Sequence, residues 1–297
     1  MMKKLLLMAG AIAALAAGPA GAADLVSKAP PPPPSALVYN WTGCYVGAGL
    51  GYGMFNQDRQ VVSDFPNVVH GDNLIMVNGN PPGITLSSNE TFGGRGWLAT
   101  AQFGCDYQFA NNWVIGAFVD GDWSRIRGDQ GLFGAYSGEA QLRSSWTVGG
   151  RIGWLVTPTL LAYVSGGVTE ARFREVDFVN NSTAAILLVD NFLLIGNGAP
   201  GLQLGAQRYN GFFIGGGTEY AIDWWPGLFW KSEYRFADYR SATTSINCVN
   251  AALCGAIWVG PTGISERIHT YVQTVRTELV WRFNWGEIGK GPVRAAY

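Results

Sequence analysis

Charged side chains of both signs recur at a spacing of two along this chain. Lys231, Glu233 and Arg235 form one such series, Arg276 and Glu278 a second that Arg282 extends, and Asp120 and Asp122 a third. Asp106, Arg151 and Glu219 stand alone within similar stretches. A period of two places residues on one face of an extended strand. Brought together, six carboxylates and five cations would make an ion-pair network, which is structural chemistry rather than catalysis.

Catalysis would have to begin from the two histidines. His70 lies in a long polar stretch; His269 sits beside Thr270, with Ser265 and Glu266 nearby. A base needs a nucleophile within hydrogen-bond reach, and this spacing does not place one. A histidine meeting solvent at the surface is the plainer reading, a lipid hydrolase the remoter one. Metal or haem binding through His70 and His269 has no further support. No catalytic residue, metal or cofactor is expected.

The strands that must carry these charges have an apolar face as well. In WLATAQFGCDYQF (97–109) the odd positions Trp97, Ala99, Ala101, Phe103, Cys105, Tyr107 and Phe109 oppose Thr100, Gln102, Asp106 and Gln108. The same alternation marks 41–52, 113–123, 145–156, 160–170, 211–222, 228–239 and 271–283. These eight segments are near the roughly 9–11 residues a tilted strand needs to cross hydrocarbon. Short turns follow the second, fourth and sixth, while 53–94, 124–144, 171–210 and 240–270 are long connections. Brief turns on one side and long loops on the other are the habit of outer-membrane barrels.

Composition agrees. Charged residues make up 14% and hydrophobic residues 48%, with 41 glycines and a net charge of -1. No basic surplus exists to neutralise phosphates, which argues against nucleic acid. A β-sandwich also alternates, but a soluble one would carry more charge and keep its oily residues inside. The expected fold is all-β: an eight-stranded antiparallel up-and-down transmembrane β-barrel with long external loops. The oily face meets lipid and the charged face the lumen. Trp41, Trp97, Trp113, Trp123, Trp146, Trp154, Trp230, Trp281 and Phe283 are expected at the lipid interfaces. Stretch 178–195 is apolar enough to supply a further hairpin and ten strands.

Lys3 and Lys4, a short apolar run and a small-residue close read as a secretory signal over 1–22. Residues 23–40, with five consecutive prolines from Pro30 to Pro34, read as a periplasmic linker. The barrel occupies 41–285, and 286–297 form a short tail. Cys248 and Cys254 share a long connection and are expected to bond. A hairpin of the first two segments puts Cys44 near Cys105, a second expected disulfide.

With the termini added, the order of motifs resembles the porin-like outer-membrane β-barrel family of alphaproteobacteria, which includes major surface antigens. The matching stretches are AADL, the proline run and WTGCYVGAGLGYG (Trp41 to Gly53). Gly217-Thr218-Glu219-Tyr220, Glu233-Tyr234-Arg235 and RFNWG from Arg282 to Gly286 complete the pattern. The resemblance implies eight antiparallel strands in the outer membrane and no catalytic residues. The expected role is structural and antigenic, with a narrow passive pore as the alternative. Expected partners are outer-membrane lipid, lipopolysaccharide and the barrel-assembly machinery; homo-oligomerisation is left open by the residues.

Overall fold

The computed structural model describes residues 40–62, 89–110, 112–132, 136–180, 188–189, 192–193, 200–250 and 259–283. The expected signal, most of the linker, the C-terminal tail, His70 and Cys254 lie outside the described residues. Eight strands make the wall: β1 (Gly43–Val61), β2 (Asn89–Phe109), β3 (Trp113–Leu132), β4 (Tyr136–Thr157), β5 (Leu160–Phe173), β10 (Gln207–Ala221), β11 (Leu228–Cys248) and β12 (Gly260–Phe283). Each pairs antiparallel with its chain neighbour in the wall. The ring closes where β1 pairs with β12, from Cys44↔Phe283 to Val61↔Glu266. In hydrocarbon no water is available to satisfy a strand edge, so closure is what lets these backbones cross.

The period of two explains which face is which. Along β3, Trp113, Ile115, Val119 and Trp123 are exposed, while Val114, Phe118, Asp120 and Asp122 are buried. Trp113 and Trp123 stand ten residues apart, roughly 33 Å of strand at ~3.3 Å per residue and about 25 Å of height at a tilt near 40°. That is the height of an outer-membrane apolar band. The lower edge of the band carries Trp113 against Trp154 (ring centroids 4.9 Å), with Trp230, Trp281 and Phe283 further round. The upper edge carries Tyr52 against Trp97 (5.3 Å), Trp123 and Trp146.

The lower turns are short because they only reverse the chain. At the turn between β10 and β11, Gly227 has φ 89 and its carbonyl accepts from the Arg282 backbone N–H at 2.9 Å. A side chain there would be strained, which is why glycine ends the turn.

The strands run far beyond the expected length. Residues 53–61, 124–132, 136–144 and 240–248, expected in long connections, continue the sheet. Only 133–135 separate β3 from β4. Outside the membrane both faces meet polar groups at intervals, so the hydropathy contrast fades while the backbone ladder continues unchanged. β1 shows it: Phe55, Gln57 and Arg59 stay inward while Met54, Asn56 and Asp58 stay outward.

The described parts of the apolar 178–195 region do not widen the barrel. β6 (Val176–Asn180) and β9 (Pro200–Leu204) pair with each other, and then β6 with β4 and β9 with β11. They take over above the upper ends of β5 and β10, so the wall has eight members at each height. Among the described residues β7 (Leu188–Val189) and β8 (Phe192–Leu193) pair only with one another.

Above the outer aromatic edge the exposed face turns basic. Arg95 lies two residues above Trp97, Arg125 two above Trp123, and Arg143 three above Trp146. Arg172, Arg208, Arg240 and Arg267 each lie four residues above Val168, Phe212, Phe236 and Tyr271. All seven are exposed; β1 carries an acid, Asp58, in place of an arginine, and Glu170 of β5 and Asp238 of β11 also face outward just below Arg172 and Arg240.

Cys44 and Cys105 stand directly opposite on β1 and β2, on the lipid-facing side, and are bonded. Cys248 ends β11 buried and is not a free thiol; its expected partner Cys254 is outside the described residues. The Cys44–Cys105 bond closes a 61-residue separation. Its removal in a Cys44→Ala/Cys105→Ala variant is expected to cost up to ~4 kcal/mol through the freed unfolded chain. A denaturant midpoint unchanged from the parent in the same micelles would contradict this.

Candidate functional site

The lumen begins at its lower end with Trp41. The indole is completely buried, packed on Phe229 (5.0 Å) with the Arg282 guanidinium 4.7 Å from its ring. This corrects the expected interfacial placement. Trp41 precedes β1 and its Nε1–H donates to the Pro158 carbonyl (3.2 Å) in the β4–β5 turn, which folds the ring under the barrel rather than toward lipid. The other eight expected aromatics are outward and exposed.

Above Trp41 sits a square of four charges. Arg151 from β4 donates to Asp106 of β2 (Nε to Oδ1, 2.9 Å) and to Glu219 of β10 (3.0 Å). Arg282 from β12 donates to Glu219 (Nε to Oε1, 2.8 Å) and lies 2.7 Å from Asp106. Each cation touches both anions, so four strands are joined across the bore. Tyr45 stacks under both guanidiniums, at 4.7 Å from Arg151 and 5.0 Å from Arg282.

A second cluster fills the middle. Arg235 forks onto Asp120 (3.1 and 2.9 Å) and also donates to Glu233 (2.9 Å). Arg276 reaches Asp120 (3.3 Å) and Asp122 (2.9 Å). Lys231 donates to Gln102 (2.7 Å) and lies 3.3 Å from Glu233 and 3.6 Å from Glu278. Gln102 in turn donates to Glu278, and Tyr163 to Glu233 (2.8 Å). Phe213 lies beneath Arg235 at 4.3 Å. All eleven charged residues read from the sequence are thus buried in one lumen. Six carboxylates face five cations, and each charge has a partner of opposite sign.

The sequence reading missed a third layer. Phe55, Phe173 and Tyr209 meet edge to face (5.2 and 5.6 Å) above the middle cluster, among Ile126, Leu142, Phe178 and Ile268. Over them Arg59 pairs with Glu266 and donates to the Gln130 side-chain oxygen (3.2 Å), while the Gln130 amide nitrogen donates to Gln57 (2.7 Å). This pair lies above the membrane band, where burial pushes the Glu266 carboxyl up although Arg59 pulls it down. Continuing the β1 alternation past Tyr52 would have found Phe55, Gln57 and Arg59.

Inward glycines make room for these side chains rather than leaving gaps. A Cβ on Gly47 would meet Gln102, one on Gly217 the Tyr163 hydroxyl (2.8 Å), and one on Gly149 the Phe213 ring (2.7 Å). The small cavity between Arg59, Val61, Glu90, Phe92 and Glu266 measures only about 10 Å³, room for roughly one water.

The catalytic candidates are divided by the sheet. His269 and Ser265 are outward, whereas Glu266 and Thr270 point inward and are buried. Adjacent residues on a strand face opposite sides. Both His269 nitrogens are occupied, Nε2 by Asp238 (2.7 Å) and Nδ1 by the Tyr271 hydroxyl (3.4 Å). The Ser265 hydroxyl lies 3.2 Å from that of Ser245. Among the described residues no group of three His, Cys, Asp or Glu is placed to hold a metal ion.

A closed eight-stranded ring with an oily coat, two aromatic edges and a polar filling defines an integral outer-membrane β-barrel. The chain belongs to the family of the 31 kDa outer-membrane immunogenic protein of Brucella. It is 30% identical to the members from Brucella melitensis and Brucella suis, over 76% of this chain and 84% of each relative. No family model matches. Among solved structures, OprG from Pseudomonas aeruginosa aligns with TM-score 0.47 at 13% identity, covering 84% of this chain and all of that one. Neisserial surface protein A aligns with TM-score 0.31 at 11% identity, covering 82% and 98%.

The charge square makes a stability prediction. Glu219→Gln leaves two buried guanidiniums sharing only Asp106, and is expected to cost about 3–5 kcal/mol. The balanced change Glu219→Leu with Arg282→Met keeps Arg151 on Asp106 and is expected to cost less. Denaturant unfolding followed by heat-modifiable gel mobility ranks the two; the reverse order would contradict a charge-balanced lumen.

Proposed function

We propose that this barrel is a structural component and surface antigen of the outer membrane, a rigid closed post that displays its external connections. The filled lumen is the observation that carries the reading. From Trp41 upward the bore holds the charge square, the Arg235–Asp120–Arg276 cluster and the Phe55–Phe173–Tyr209 layer in succession. An eight-stranded barrel has just enough interior for side chains to fill, and the residues here fill it. The family relationship supports the antigenic part, since the Brucella relatives are immunogenic outer-membrane proteins by name.

The same filling weighs against a narrow pore. An ion entering from below would have to displace the Trp41 ring and both arginines of the square. A hydrolase reading loses its support as well, because His269 has a carboxylate and a phenol on its two nitrogens and no serine or threonine hydroxyl on either. The reading assigns no catalytic residue to this chain.

Planar-bilayer recording of the refolded protein tests the closed lumen. The expected record is a quiet membrane at moderate voltage, free of repeated steps of one size. Reproducible single-channel steps that survive repurification would replace this reading with the pore.

A further inference from the structure

The outer wall is basic at one height only. The exposed arginines begin two to four residues above the last apolar or aromatic outward residue, on seven of the eight wall strands. No such row borders the lower aromatic edge among the described residues; there the turns present Asn112, Thr157, Thr159 and Asp223. A charge row adjoining one aromatic belt sits at the headgroup level of one leaflet.

The chain's own acids match only some of these arginines. Arg127 lies 3.4 Å from Glu139, Arg172 lies 2.8 Å from Glu170, and Asp238 is taken by His269. Arg95, Arg125, Arg143, Arg208, Arg240 and Arg267 form no ion pair among the described residues. Two like-charged pairs stand directly across the ladder: Arg95↔Arg127 and Arg172↔Arg208. Like charges directly opposite destabilise a sheet, and a shared anion between the two guanidiniums reverses the sign of that contact.

We propose that this arginine collar binds the phosphorylated headgroups of lipopolysaccharide in the outer leaflet. Guanidinium forks engage phosphate oxygens in pairs, and the aromatic belt below sets the acyl chains at the matching depth. The arginines then stand where divalent cations otherwise bridge neighbouring lipids, so the annular lipid is held by the protein itself.

The full chain, refolded in neutral detergent, is titrated with diphosphoryl lipid A, with the same lipid stripped of its phosphates, and with inorganic phosphate. The diphosphoryl lipid is expected to bind at least about tenfold more tightly than the stripped one, with or without EDTA. Each basic residue near a charged surface is worth about fivefold in affinity. The triple change Arg95→Gln, Arg208→Gln, Arg240→Gln is therefore expected to lose about a hundredfold, with gel mobility still heat-modifiable. Equal binding by the triple variant and the parent, or equal binding of the stripped lipid, would overturn the collar. Complete displacement of the lipid by inorganic phosphate would overturn the assignment to lipid. If the triple variant does not refold, Arg95→Gln with Arg208→Gln breaks one member of each crossed pair and decides by the same comparison.

Discussion

Closure of the sheet at the β1–β12 seam is the constraint on which everything else rests. A strand edge inside hydrocarbon would leave a row of amides and carbonyls without partners, each costing several kcal/mol. The seam removes that edge with one continuous antiparallel register from Cys44 to Val61. Once the sheet is shut, each strand has two different surroundings, and the alternation of side chains has to serve both. Val46, Leu50 and Tyr52 face outward from β1 while Tyr45, Gly53 and Phe55 face in.

The interior solves a second problem set by the first. A bore of eight strands is just wide enough for side chains to fill, and aliphatic side chains alone do not suit one whose wall carries charge. Arginine answers it well. Arg151, Arg235, Arg276 and Arg282 each span from one strand to acids on others, and the flat guanidiniums of Arg151, Arg235 and Arg282 also lie on Tyr45, Phe213 and Trp41. Buried ion pairs add little net stability over apolar filling. They do add register: slipping a strand by one residue would carry its charges into lipid, at a cost that forbids it.

Above the membrane the same wall becomes a different kind of structure. The upper interior is largely apolar, with Phe55, Ile126, Phe173, Phe178 and Ile268 buried together, while the outside is basic. That is the pattern of a soluble β-barrel, oily inside and polar outside. One continuous set of strands therefore changes polarity from inside-out to ordinary at the outer aromatic edge. Where β5 and β10 stop, β6 and β9 continue the wall, so the extension keeps its own core without a gap.

The sequence by itself determined the eight membrane-crossing segments, their facing and the eleven lumen charges. The reason is that lipid and lumen impose opposite demands at every second residue, so Asp120 or Glu233 cannot be read as anything but inward. Hairpin pairing of the first two segments is also enough to bring Cys44 opposite Cys105. Beyond the membrane that contrast vanishes, and the sequence was silent where Gln57, Arg59, Gln130 and Glu266 continue the strands. Partner choice was equally invisible: nothing local says that Arg282 shares Glu219 with Arg151, or that Trp41 folds under the bore instead of facing lipid. Those contacts join residues from 63 to 241 positions apart, and only the closed ring brings them within reach.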